Sequence, residues 1–153
     1  MNVNSTLDAL CAAYGEGEGA PTRAQWEAVL RRDPDAPFAL INFFKFREMA
    51  AYGDDTLAIS GQEAFQRYAT VSMPAMMGAG GSFLLVGPHQ GSLIGPDPDW
   101  DMVAIGHYPN LQAFCALYHD EAYQTAFADR TAAVARQSVL VVGQSAPVGP
   151  EQS

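Results

Sequence analysis

Apolar positions in this chain follow two rhythms, one helical and one alternating. Leu7 to Tyr14 reads as a short helix, and Gly15 to Gly19 as a Gly/Glu linker. Thr22 with Gln25 three residues on forms a capping box. The helix it opens runs to about Arg32 and puts Trp26, Val29 and Leu30 on one face, before Asp33-Pro34 and Pro37 stop it. Phe38 to Phe46 is short, apolar and aromatic-rich, as expected of a strand covered on both faces. Asn42 and Lys45 interrupt it on opposite faces. After a loop over Ala50 to Ile59, Ser60 and Glu63 make a second capping box, and Phe65, Tyr68, Ala69, Ser72 and Met76 form one continuous helix face. Pro74 is expected to kink or loosen the last turn, and Gly78, Gly80 and Gly81 to end the helix.

Ser82 to His89 is a second strand, with Gly91 to Ile94 a candidate extension, and Gly95 to Asp99 is a turn of strong breakers. Trp100 to Tyr108 is a third strand; Asp101, Val103, Ile105 and His107 lie on one face, and Trp100, Met102, Ala104, Gly106 and Tyr108 on the other. Leu111 to Tyr118 is a helix, and Asp120 caps another that runs from Glu121 to about Ala135. Ser138 to Val142 is the last strand. The Gly/Pro/Ser-rich tail from Gln144 has the composition of a disordered end. The expected organisation is a helical arm over residues 1–35, an α/β domain over residues 36–144 and a tail over residues 145–153.

The core order is strand, helix, strand, strand, helix, strand. This is the split β-α-β pattern of an α+β, ferredoxin-like fold: four antiparallel strands with both helices on one face. Yet the strands are apolar on both parities, as at Leu40 and Ile41, Leu84 and Leu85, Leu140 and Val141. A second copy of the sheet would cover the other face and make a two-fold homodimer, and the N-terminal helices are the competing cover.

Several stretches carry a resemblance to a known family: Gly80-Gly81-Ser82-Phe83-Leu84; a strand from Trp100; Tyr108-Pro109-Asn110-Leu111; Tyr118-His119-Asp120-Glu121-Ala122-Tyr123; Arg130; and Val139 to Gly143. Over about residues 37 to 144 the chain resembles the domain-of-unknown-function family thirteen-thirty, of the dimeric α/β-barrel superfamily. The resemblance implies a ferredoxin-like protomer in a back-to-back sheet dimer. It supplies no agreed reaction, since relatives in the superfamily include cofactor-free monooxygenases, lactone isomerases, dehydratases and haem enzymes. Two features depart from the family pattern: the N-terminal arm, and Gly106-His107 where the family often has an acidic residue before the aromatic.

Composition narrows the partners. In 153 residues, 48% hydrophobic and 16% charged, there are 8 basic and 17 acidic side chains, a formal charge of −9. Such an acidic chain repels nucleic acid and anionic membrane surfaces. No apolar run nears the roughly 20 residues of a membrane span. The start lacks the basic and long apolar regions of a secretory signal. Cys11 and Cys115 form no C-x-x-C pair and read as free, packed thiols of a cytoplasmic protein.

The candidate chemistry centres on Arg130. It shares a helical stripe with Tyr123, Phe127 and Val134, and a guanidinium on an apolar stripe needs a partner. It is either an anion clamp for a substrate carboxylate or enolate, or an internal brace. Tyr118, Tyr123 and Tyr68 are candidates to orient a ligand or donate a proton, and Asn42 to orient one, with ordinary packing the alternative. Pairing the second and third strands around the Pro-Asp turn sets Gly87 opposite His107 and His89 opposite Ile105. The two histidines then become diagonal neighbours and a candidate acid–base pair. No spacing signals a metal site, and no haem, flavin or dinucleotide motif calls for a cofactor. The expected function is a small-molecule enzyme without tightly bound cofactor, working by isomerase- or lyase-like proton transfer or cofactor-free oxygenation. Its substrate would be a small anionic or carbonyl compound. The alternatives are a non-catalytic ligand-binding module and an assembly module.

Overall fold

The computed structural model describes residues 2–53 and 58–147. Its elements are α1 (Val3–Tyr14), α2 (Arg23–Leu30), β1 (Phe38–Phe46), α3 (Gly61–Gly78), β2 (Ser82–Pro88), β3 (Met102–Tyr108), α4 (Leu111–Tyr118), α5 (Glu121–Ala133) and β4 (Val134–Gly143). The strands form one antiparallel sheet in the order β2-β3-β1-β4. This is the ferredoxin-like α+β arrangement, and within one chain the sheet is open rather than closed into a barrel.

The helix starts follow their caps. Asn2, Thr22, Ser60, Asn110 and Asp120 each accept a hydrogen bond from a first-turn backbone N–H. Thr22 and Gln25 complete the capping box in both directions. α3 runs through Pro74 and ends at Gly78, where the glycines are expected to stop it. At its start, a Cβ on Gly61 would lie 2.1 Å from the Arg47 carbonyl oxygen and 2.7 Å from that of Ala133. Only glycine lets α3 begin this close to the ends of β1 and α5.

Three expectations change at the sheet. α5 stops at Ala133 rather than about Ala135, and Val134 passes directly into β4, four residues before the expected Ser138. Pairing with β1 draws the polar Arg136 and Gln137 into the strand, opposite Lys45 and Phe44. β3 begins at Met102 rather than Trp100, and β2 ends at Pro88, so Gly91 to Ile94 is not strand. Residues 89–101 form a long loop tied by side chains. His89 contacts Asp97, Lys45 pairs with Asp99 and Asp101, and Arg136 donates to the Pro98 and Asp99 carbonyls.

One face of the sheet meets the helices. Phe38, Leu40, Asn42 and Phe44 of β1 and Ala104, Gly106 and Tyr108 of β3 are buried there. The arm joins this same core: Leu7, Leu10, Trp26 and Leu30 belong to its cluster. Tyr14 and Trp26 pack edge-on or tilted against Tyr118, Phe114 and Phe127 at 4.9–6.2 Å between ring centroids. The arm therefore backs the helical layer and leaves the opposite sheet face uncovered. On that face Leu85, Leu140 and Val142 are exposed, beside half-buried Ile41, Phe43, Val103 and Ile105. Only Ser145 to Pro147 of the expected tail fall within the described residues, as does only part of the loop before Ser60.

Trp26→Ala is expected to lower the unfolding free energy by about 3–5 kcal/mol, the usual cost of truncating a buried aromatic. Chemical denaturation followed by circular dichroism measures it. A loss below about 1 kcal/mol would mean the arm is separable from the core.

Candidate functional site

A cavity of about 170 Å³ lies between the helix-facing side of the sheet and α3. Gln66 and Met73 of α3 and Val86 of β2 stand at its exposed mouth, with Phe83 half-buried beside them. Its depth is lined by Leu40, Asn42, Tyr108, Tyr118, Tyr123 and Arg130. Five of the seven candidate residues thus meet here: Arg130, Tyr68, Tyr118, Tyr123 and Asn42. The helix periodicities explain the convergence. Tyr68 and Ser72 lie on the buried face of α3, and Tyr123, Phe127 and Arg130 on that of α5.

Arg130 is only 5% exposed. Its Nη1 donates to the Tyr68 hydroxyl at 3.2 Å, and its Nε and Nη2 both donate to Gln137 Oε1, at 3.2 and 3.0 Å. The guanidinium carbon sits 4.9, 5.1 and 5.7 Å from the ring centroids of Phe44, Phe127 and Tyr68. Among the described residues, no carboxylate pairs with it. The cation is therefore held by neutral dipoles and ring faces. Burial works against its charge, yet the phenol oxygens of Tyr68, Tyr123 and Tyr118 outweigh it and keep the pKa above the ordinary arginine value.

The phenols form a chain behind it. The Tyr68 and Tyr123 hydroxyls are 2.8 Å apart. Tyr118 is fixed through its backbone, where its carbonyl accepts from the Tyr14 hydroxyl at 2.9 Å and from Gln124 Nε2 at 3.1 Å. Burial pushes the Tyr123, Tyr118 and Tyr108 hydroxyls up, and that of Tyr14 as well. At neutral pH these groups are protonated donors, not bases. Asn42 donates from Nδ2 to the Ala104 carbonyl at 3.0 Å and toward that of Leu40 at 3.4 Å. Those acceptors fix its amide orientation.

The histidines do not join this site. β2 and β3 pair with Ser82 opposite His107 and Leu85 opposite Ile105, after a register shift between Phe83 and Leu85. The expected Gly87–His107 and His89–Ile105 pairs do not form, because residues 89–100 leave the sheet instead of extending a hairpin. His107 lies on the uncovered face, where its Nε2 meets Gln144 Oε1 at 2.6 Å. His89 follows the end of β2 and meets Asp97 at 2.8 Å. Among the described residues, the cavity lining contains no His, Asp, Glu, Lys or Cys. Among the described residues, no group of three or more such metal-binding side chains converges. Both cysteines are free and half-buried, and burial raises the Cys115 thiol.

Gln137, which the sequence reading did not single out, completes the arginine's surroundings. Its signal was its parity: extending β4 backwards from Val139 and Val141 puts Gln137 on the helix side with them.

Comparison with known proteins fixes the family. The model of the family described as Domain of unknown function (DUF1330) matches residues 50–144. The chain belongs to that family. It is also similar to the crystal structure of RPA0582, a protein of unknown function from Rhodopseudomonas palustris. The TM-score is 0.76 at 30% identity, covering 86% of this chain and all (100%) of that one. The methylated form of RPA0582 gives 0.76 at 31% identity, over 89% and 98% of the two chains. No curated protein matches the chain. This DUF1330 protein thus shares its fold with solved relatives whose descriptions assign no activity.

The raised phenols set an alkaline limit. A group whose pKa is higher in the folded state keeps its proton there while the unfolded chain loses it, so its contribution is full below the unfolded value. Stability should therefore fall as pH rises above about 10. Spectroscopic titration should show Tyr108, Tyr118 and Tyr123 ionising only as the protein unfolds. Ionisation of all 6 tyrosines near pH 10 in the folded protein would contradict this reading.

Proposed function

We propose that this protein takes up a small anionic or carbonyl compound in the cavity between its sheet and α3, working as a two-fold homodimer. The observation that carries the reading is Arg130: a buried guanidinium with neutral partners, lining an otherwise apolar cavity. An apolar pocket with a few convergent polar groups is the usual form of a small-molecule site. A cation kept there without a counter-charge favours an anion that arrives with the ligand.

In an enzyme of this kind, Arg130 and the Tyr68 hydroxyl would hold an enolate or carboxylate oxygen, and Tyr123 would donate a proton. Isomerase- or lyase-like proton transfer, or oxygenation of an activated carbon acid without cofactor, begins from such an anion. Binding without turnover is the second reading. It is favoured by the lining's lack, among the described residues, of any carboxylate, imidazole or amine, which leaves donors but no general base.

The dimer reading rests on the uncovered sheet face. Aliphatic residues from all four strands lie on it, and the arm packs elsewhere. A matching face on a second copy would bury them.

Arg130→Gln is expected to keep the fold and weaken binding of benzoate, hexanoate or pyruvate about tenfold to a hundredfold, the worth of a charge-assisted hydrogen bond. Isothermal titration calorimetry reads this. Unchanged affinity, or a variant that only unfolds, would favour the brace over the clamp. Native mass spectrometry before and after denaturation should show a dimer and any mass released from it. Ile105→Asp, at the centre of the uncovered face, should give a monomer by light scattering. A wild-type monomer would overturn the dimer.

A further inference from the structure

The cavity's polar groups are few enough to constrain its ligand further, on the reading that the cavity is an anion site. Of the five guanidinium N–H groups, those on Nε, on one side of Nη2 and on one side of Nη1 are engaged by Gln137 and Tyr68. One N–H on each terminal nitrogen remains. Two free donors are, in number, what one carboxylate accepts. Among the described residues, Arg130 is the sole ionised group in the lining, so a second negative charge would enter an apolar cavity unmatched.

Asn42 supplies the second constraint. It is 8% exposed and lines the same cavity. Its Nδ2 is engaged by strand carbonyls, and its Oδ1 has no donor among the described residues. Asn42 lies two positions before Phe44 on the same face of β1, about 7 Å along the strand, and Arg130 sits over the Phe44 ring. The cavity thus presents a cation over the Phe44 ring and an acceptor two positions along the same strand face. Its volume, about 170 Å³, is close to that of a cavity of about 150 Å³ that holds benzene.

We infer that the ligand is a ring-sized monocarboxylate carrying a hydrogen-bond donor across from its carboxylate: the acid group on Arg130, the donor on Asn42 Oδ1, and the apolar body between Met76 and Met102. A hydroxy-substituted aryl or cycloalkyl acid has this form.

Calorimetric titration of the full chain with benzoate, meta- and para-hydroxybenzoate, their methoxy counterparts and terephthalate tests the inference. One hydroxy acid should bind about three- to tenfold tighter than benzoate and than its methoxy ether, the gain of one hydrogen bond. Terephthalate, with its second charge, should bind at least about tenfold more weakly. Asn42→Leu should erase the hydroxyl preference, so that the hydroxy acid binds no tighter than its methoxy ether. If that variant does not fold, the hydroxyl-against-methoxy comparison on the wild-type chain decides alone. Arg130-dependent binding of benzoate with no hydroxyl preference in either isomer would overturn the inference and leave the anion reading intact. Failure of every carboxylate to bind the wild-type chain would overturn both.

Discussion

The interior of this protein is organised around one buried positive charge. A guanidinium removed from water is tolerated only where its donors are met and its charge is balanced. Here rings and dipoles do that work. Phe44 comes from β1, Tyr68 from α3, Phe127 from α5 and Gln137 from β4, so the arginine draws on the sheet and on both helices that cover it. The same requirement explains why the cavity remains polar at one end. An apolar replacement would pack more simply, but it would present nothing to an anion.

The supporting layers follow from this placement. Gly61 allows α3 to start against the backbone of Arg47 and Ala133, and α3 in turn carries Tyr68 to Arg130. The arm acts from the other side. Tyr14 donates to the Tyr118 carbonyl at the end of α4, while Trp26 packs on the same ring. An extension outside the span of the family model therefore steadies one wall of the cavity. The phenols of that wall stay protonated, which suits them to holding an anion and unsuits them to taking a proton away.

Much of the fold was legible in the sequence because its signals are local. The caps at Thr22, Ser60 and Asp120 act within one turn, and the stripes on α3 and α5 follow from helical periodicity alone. Those stripes also brought Tyr68, Tyr123 and Arg130 forward as candidates, and the parity of β1 separated Asn42 from Lys45. The errors fell where pairing between distant strands decides. β4 begins at Val134 because β1 offers it partners as far as Phe46, although Arg136 and Gln137 look like loop residues. The missed Gln137 follows from that missed boundary.

The histidines mark the division most clearly. Alternation placed His107 on one face of β3, and that holds, but no local rule says which face meets the helices. Nor could the turn at Gly95 to Asp99 reveal that residues 89–100 leave the sheet, pinned by Lys45 and Arg136 from other strands. The sequence by itself determined the elements, their faces and the need for a partner at Arg130, because periodicity, capping and desolvation act over a few residues. The tertiary structure alone decided register, the partner Gln137 and the convergence of five candidates on one cavity, because these depend on contacts between segments up to about a hundred residues apart.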